Sequence, residues 1–208
     1  MADDVIAPPY DVINSKEATQ LAKDRPNSFL HISKPEIDLG DDIAYNDPKV
    51  YEKGKETLDQ MIKDAVLIED SEDMLYLYEM IGNDIRQLGI AAVGSVDAYE
   101  QEAIKRHELT KPDKELDRVN NISSLNAQTG PVLLTYPDNE GLSILMEKIV
   151  GRETPIYDVK AIDGVIHRVY QVSQSNEQEQ ILSCVNKMDA LFIADGHHRS
   201  AAAGIVKK

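Results

Sequence analysis

The sequence predicts an α+β fold in two lobes, an N-terminal α/β lobe over residues 1–89 and a second lobe over residues 90–208. Three observations predict it. Gly82-Asn83-Asp84 and Asp163-Gly164 are turn signals flanked by strand-like runs, which gives antiparallel pairs. Apolar residues recur at helical spacing in several segments between them. Near the C-terminus, the apolar run Leu191–Ala194 breaks at Asp195-Gly196 and continues as an alanine-rich helix start. With 208 residues, 42% of them hydrophobic, the chain can bury one good core or two small ones. It has no internal repeat. No Pro/Gly-rich linker marks the lobe boundary, which is therefore soft.

In chain order, Pro8-Pro9 holds the opening Ile6–Asn14 extended. Ser15 starts a helix that runs through Leu21-Ala22 and stops before Pro26. Phe29–Ile32 reads as a short strand, with His31 satisfied by its neighbours. Residues 36–50 are acidic and irregular; Gly40, Asp41, Asp42 and Asn46 lack the ordered spacing of a calcium loop, so the stretch reads as solvated. Asp47-Pro48 starts a long helix carrying Val50, Leu58, Met61, Ile62 and Ala65, which Gly54 weakens without breaking. Met74–Met80 and Arg86–Val93 form the first hairpin, its tyrosines on one sheet face. Ser124–Tyr136 passes from a helix end into a strand, and its Asn126, Gln128 and Thr129 either tie down a loop or touch a small polar ligand. Leu142–Val150 is a short amphipathic helix. Tyr157–Val159 and Val165–Val172 pair as strands, with His167 and Arg168 on opposite faces. Gln178–Met188 is another helix leading to the strand at 191–194.

Charge and cysteine usage exclude several classes. A formal net charge of -15 argues against wrapping DNA or adhering to an anionic membrane, though a local basic pocket can still hold a nucleotide. No apolar run approaches membrane-spanning length, and the N-terminus lacks a basic-then-apolar signal pattern. The single cysteine, Cys184, is expected on a helix face and offers no metal cluster. The chain is expected to be cytoplasmic.

Two stretches carry chemistry. In Leu191–Ala203, Asp195, His197, His198 and Arg199 crowd a strand–turn–helix corner. The first turn of a helix presents unpaired N–H groups and partial positive charge, Gly196 permits close approach, and Arg199 can fork onto phosphate oxygens. Ala202 and Ala203 would let the helix lie closely on the sheet. In Ile104–Arg118, five cations within fourteen residues are interleaved with four carboxylates. Charge alone would make this a salt-laced surface. His107-Glu108 beside the cations points further, because a carboxylate near a substrate hydroxyl can take its proton while Lys105, Arg106 or Lys111 neutralises phosphate charge.

Asp195-Gly196-His197-His198-Arg199 with Ala202 resembles the G-x-x-R-x-x-A box of the ParB/sulfiredoxin superfamily, where it holds nucleotide phosphates. Sulfiredoxin carries a reactive cysteine where this chain has His197, so its redox chemistry does not transfer. The D-G-H-H-R form is closer to the free serine kinases of that superfamily, and Lys105-x-His107-Glu108 is similar to their K-x-H-E segment, whose glutamate is the acid/base. The resemblance implies a ParB/sulfiredoxin-like nucleotide-binding lobe over 90–208. Nearly the whole chain also resembles an uncharacterised bacterial and archaeal family, domain of unknown function one thousand and fifteen. Ala7–Ile13, Ser28–His31, Pro35–Asp38, Ile104–Thr110, Leu125–Thr129 and Ala194–Arg199 carry that resemblance. Its members continue past the D-G-H-H-R helix, so the chain is expected to be truncated at its C-terminus.

These resemblances imply a nucleotide-dependent phosphotransferase acting on a small hydroxylated metabolite, free L-serine in the first instance. Glu108, assisted by His107, is the expected base, and Asp195 the acid that faces metal or orients the hydroxyl. Gly196, His197, His198, Arg199 and Lys105 would hold nucleotide phosphate, with Lys111, Arg118 and Asn126 as substrate contacts. Mg2+ would bridge phosphates to Asp195 or Glu108, and ATP or ADP would be the donor. The alternatives are a non-catalytic nucleotide-binding regulatory module and a ParB-like nucleic-acid-associated protein, the latter opposed by the acidic charge and the lack of a basic recognition helix.

Overall fold

Side-chain caps set four of the helix starts in this computed structural model, which describes residues 2–40 and 42–208. Asp41 of the acidic stretch lies outside the described residues. The chain opens with α1 (Ala2–Val5), α2 (Ser15–Ala22), α3 (Leu30–Ser33), a 3₁₀ turn (Pro35–Asp38) and α4 (Pro48–Lys63). Asn14 closes a capping box with Glu17 on α2, and Asp47 accepts from the Lys49 N–H on α4, whose first residue is Pro48. Then come β1 (Tyr76–Gly82), β2 (Ile85–Ala91), α5 (Val96–Glu100), β3 (Ile104–Lys105), α6 (Pro112–Leu125) and β4 (Leu133–Thr135). The chain ends with α7 (Glu140–Arg152), β5 (Tyr157–Lys160), β6 (Ile166–Gln171), α8 (Ser175–Asn186), β7 (Leu191–Asp195) and α9 (His197–Val206).

The expected strand at Phe29–Ile32 is instead the helix α3. Helices rather than a strand edge surround this segment. Its turn sends Leu30 into a cluster with Ala18 and Ala22, and Ile32 into another with Leu58, Met61 and Leu125. His31 is satisfied by its neighbours as expected, with Nδ1 against Asp38 at 2.8 Å and Nε2 against the Arg25 carbonyl at 3.1 Å.

Two sheets organise the rest. The first is antiparallel in the order β2-β1-β6-β5, and its first hairpin turns at Asn83 and Asp84, both at positive φ. Helices α7 and α8 cover it over a core of Leu77, Leu142, Met146, Ile149, Tyr170, Val172 and Ile181, with Cys184 packed at the margin. The expected lobe boundary at residue 89 runs through β2, and this sheet draws strands from both sides of it.

The second sheet has the order β3-β7-β4, with β3 parallel and β4 antiparallel to β7. Ile104 lies opposite Leu191 and Lys105 opposite Phe192, so the segment after β3 leaves the sheet beside the turn after β7. The alanine face of α9 is covered chiefly by α6 and α5 rather than by the sheet. Ala201 and Ala202 are buried, and a side chain on Gly204 would meet the Tyr99 ring at 3.7 Å.

Candidate functional site

The parallel pairing of β3 with β7 has a direct chemical result. His107 and Glu108 follow the end of β3, and His197 and His198 open α9. The backbone N–H of His107 donates to His197 Nε2 at 3.5 Å, across 90 residues of chain. The rings of His107 and His197 meet edge to face at 4.5 Å between centroids. One carboxylate oxygen of Glu108 stands 3.9 Å from His107 Nε2, and the other 3.9 Å from His197 Nδ1. His197 is buried at 6% exposure, whereas the Glu108 side chain is 63% exposed. The Glu108 carboxylate is therefore reachable from solvent, with the buried His197 imidazole behind it.

His198 has a different partner. Its Nε2 accepts from the backbone N–H of Lys111 at 3.1 Å, and Lys111 is the N-cap of α6. Both histidines of the box thus pin the 107–111 loop onto the start of α9.

Gly196 sits at φ +99°, a left-handed conformation that glycine adopts without strain, and caps α9 with no side-chain hydrogen bond. The space beside it is filled. A Cβ there would stand 3.2 Å from both Arg199 Nε and a Val132 methyl, and a Cβ on Gly130 would stand 3.0 Å from Arg199 Cδ. Arg199 therefore threads between two glycines. Its guanidinium donates to Asp195 at 2.5 Å and to the Pro131 carbonyl, and lies 3.8 Å from Asp11. Gly196 makes room for this arginine as well as for the turn.

The remaining expected residues divide. Arg118, on α6, lies in a polar crevice with Arg199, alongside Tyr10, Asn121, Gln128 and Thr129. Lys105 reaches over the Phe192 ring, 5.9 Å from its centroid, and lines a separate groove with Tyr99, Arg106 and Ile205. Asn126 is the exposed C-cap of α6 at φ +51°. Among the described residues, no three His, Cys, Asp or Glu side chains are grouped to hold a metal. Asp195 fits the sparser mode of Mg2+, in which one or two carboxylates bind an ion held mainly by substrate phosphates.

Sequence reasoning missed Tyr10, Asn121 and Gly130. A signal existed for Asn121, since Arg118, Asn121 and Leu125 fall on one face of α6 and a polar residue interrupts that inward stripe. Tyr10 and Gly130 meet Arg199 only through the tertiary fold.

A family described as "Protein of unknown function (DUF1015)" matches residues 1–208. The chain belongs to this family. The match spans both sheets, the corner and the crevice, so all are parts of one family domain. No curated protein and no solved structure matches the chain. No helix among the described residues is long and apolar enough to cross a membrane.

Proposed function

We propose that the chain is a nucleotide-dependent phosphotransferase acting on a small hydroxylated metabolite, with free L-serine as the acceptor and ATP or ADP as the donor. One observation carries the reading: the exposed Glu108 carboxylate stands 3.9 Å from His197 at the uncapped start of α9. A proton acceptor and a helix N-terminus suited to phosphate thus share one corner. The resemblance of the 105–108 and 195–199 segments to the free serine kinases of the ParB/sulfiredoxin superfamily supports it.

In this reading Glu108 takes the proton of the acceptor hydroxyl, and that oxygen bonds to the terminal phosphorus of the donor. The bond from phosphorus to the bridging oxygen breaks, and the shortened nucleotide leaves. His197 holds Glu108 in place, and the first turn of α9 receives the phosphate. Arg199 joins the phosphate by exchanging Asp195 or the Pro131 carbonyl for it. Bound Mg2+, carried by the phosphates and Asp195, would neutralise phosphate charge.

A second reading, nucleotide binding without catalysis, is favoured by the same arginine, whose guanidinium already has carboxylate and carbonyl partners. A panel of ATP or ADP with hydroxylated amino acids, read by phosphate transfer, separates the two. Catalysis predicts acceptor-dependent transfer that Glu108→Gln reduces about a hundredfold or more, nucleotide affinity being unchanged. Binding without acceptor-dependent transfer leaves the regulatory reading.

A further inference from the structure

The strand edges of the molecule are finished in different ways. At one edge of the first sheet, β5 carries Asp158 and Lys160 within four residues, and α1 lies beside it. The edges of the second sheet are β3, of two residues, and β4, of three with a shifted register. Shortness, charge, irregularity and cover are the usual means by which an edge is kept from pairing with another chain. The remaining edge, β2, does without them. It runs for seven residues, Ile85–Ala91, in unbroken register with β1 and contains no proline. Its one charged residue, Arg86, is tied to Glu79 and Glu147 of the same chain.

The hairpin decides which backbone groups β2 offers. Gly82 pairs with Ile85 across the two-residue turn Asn83-Asp84, and both turn residues have positive φ, as a type I′ turn requires. In such a hairpin the closing pair exchanges hydrogen bonds, and so does every second pair beyond it. Ile85, Gln87, Gly89 and Ala91 therefore bond inward to β1. The N–H and C=O groups of Arg86, Leu88 and Ile90 point outward, and among the described residues nothing bonds to them.

This edge is complementary to itself. An antiparallel edge pairs with its own copy about a two-fold axis. With the axis at Leu88, that residue faces Leu88 of the second copy, and Arg86 faces Ile90. All the outward N–H and C=O groups of Arg86, Leu88 and Ile90 then find partners. Between them Gln87 faces Gly89, and Ile85, 63% exposed in the single chain, faces Ala91. No like charges stand opposite one another in this register, although the whole chain carries a net charge of -15.

We infer that two copies of the chain associate along β2, joining their four-stranded sheets into one about a two-fold axis at Leu88. The association is independent of the function proposed above.

Sedimentation velocity and backbone amide exchange of the full chain, from about 1 to about 100 μM, test it. The dimer is expected to grow with concentration. Exchange at Leu88 and Ile90 should slow in step, while Gln87 and Gly89, bonded inward, stay protected throughout. Gln87→Glu combined with Gly89→Glu sets like charges opposite each other on both sides of the axis, and is expected to weaken association about tenfold or more. A Cβ at Gly89 meets nothing within 4 Å, so the strand has room for the change. Gln87→Lys combined with Gly89→Glu makes both pairs attractive and is expected to restore association, which a merely damaged fold would not do. A parent that stays monomeric over the whole range, or Leu88 and Ile90 amides indifferent to concentration, would overturn the inference whether or not the variants fold. Association that both folded variants leave unchanged would overturn it too.

Discussion

The four-stranded sheet and the glycine corner treat their charged side chains in opposite ways. On the sheet, Glu79 is 3% exposed, yet it accepts from Arg86 at 2.5 Å and from Tyr170 at 3.0 Å, with Arg168 at 3.5 Å. In the first turn of α8, Glu177 is 1% exposed and held by Arg152 of α7 through two bonds of 2.9 and 2.7 Å, with Lys148 at 3.4 Å. These polar groups face one another. At the corner, Glu108 stands in solvent with imidazoles only at 3.9 Å. A region that satisfies its own polar groups is built for stability, and one that leaves them open is arranged for a ligand.

Substitutions can break that contrast. The largest effect belongs to Glu108→Gln. It is expected to cut acceptor-dependent transfer about 10²- to 10⁴-fold, the worth of a general base, while the denaturant midpoint stays within about 0.5 kcal/mol of the parent. A large loss of stability would show that Glu108 is structural after all. Next comes Leu77→Ala, at a site with no exposure in the sheet core, expected to cost about 3 kcal/mol in urea unfolding with nucleotide affinity retained.

Glu79→Gln comes third. Removing a buried charge from two arginines would cost more if they were buried too. Both keep about a third or more of their side chains in water, so about 2 kcal/mol is expected. The smallest effect is the dependence on pH. Burial pushes the Glu79 carboxyl up, but the bonds from Arg86 and Tyr170 and the charges of Arg86 and Arg168 outweigh it and hold the group below its ordinary value. Bonds from Arg152 foremost hold Glu177 low as well. A depressed carboxyl stabilises fully above its unfolded pKa of about 4.3 and loses that contribution as pH falls through the folded value. The stability gap between the parent and Glu79→Gln should therefore narrow below about pH 4, measured by urea midpoints. A gap that widened there would reverse the sign and break the assignment.

What the sequence made legible follows from range. The turn at Asn83-Asp84, the helix starts at Ser15 and at Asp47-Pro48 and the strand–glycine–helix corner rest on residues a few positions apart, and all are present. Phe29–Ile32 was misread because a four-residue apolar run carries no period that separates strand from helix, and its neighbours decide. At the site, the meeting of Glu108 with His197 was expected from paired motifs. The capture of Arg199 by Asp195 and the Pro131 carbonyl was not, because that carbonyl lies 68 residues away. Nor did any local pattern show that α6 would place Arg118 over Tyr10.

The arginine between the two glycines carries one thermodynamic obligation. Its guanidinium borders both the helix start and the crevice, so any molecule that draws it toward one side alters what it offers the other. Were both sides to take a guest, whatever factor the first imposed on the second would be returned in full.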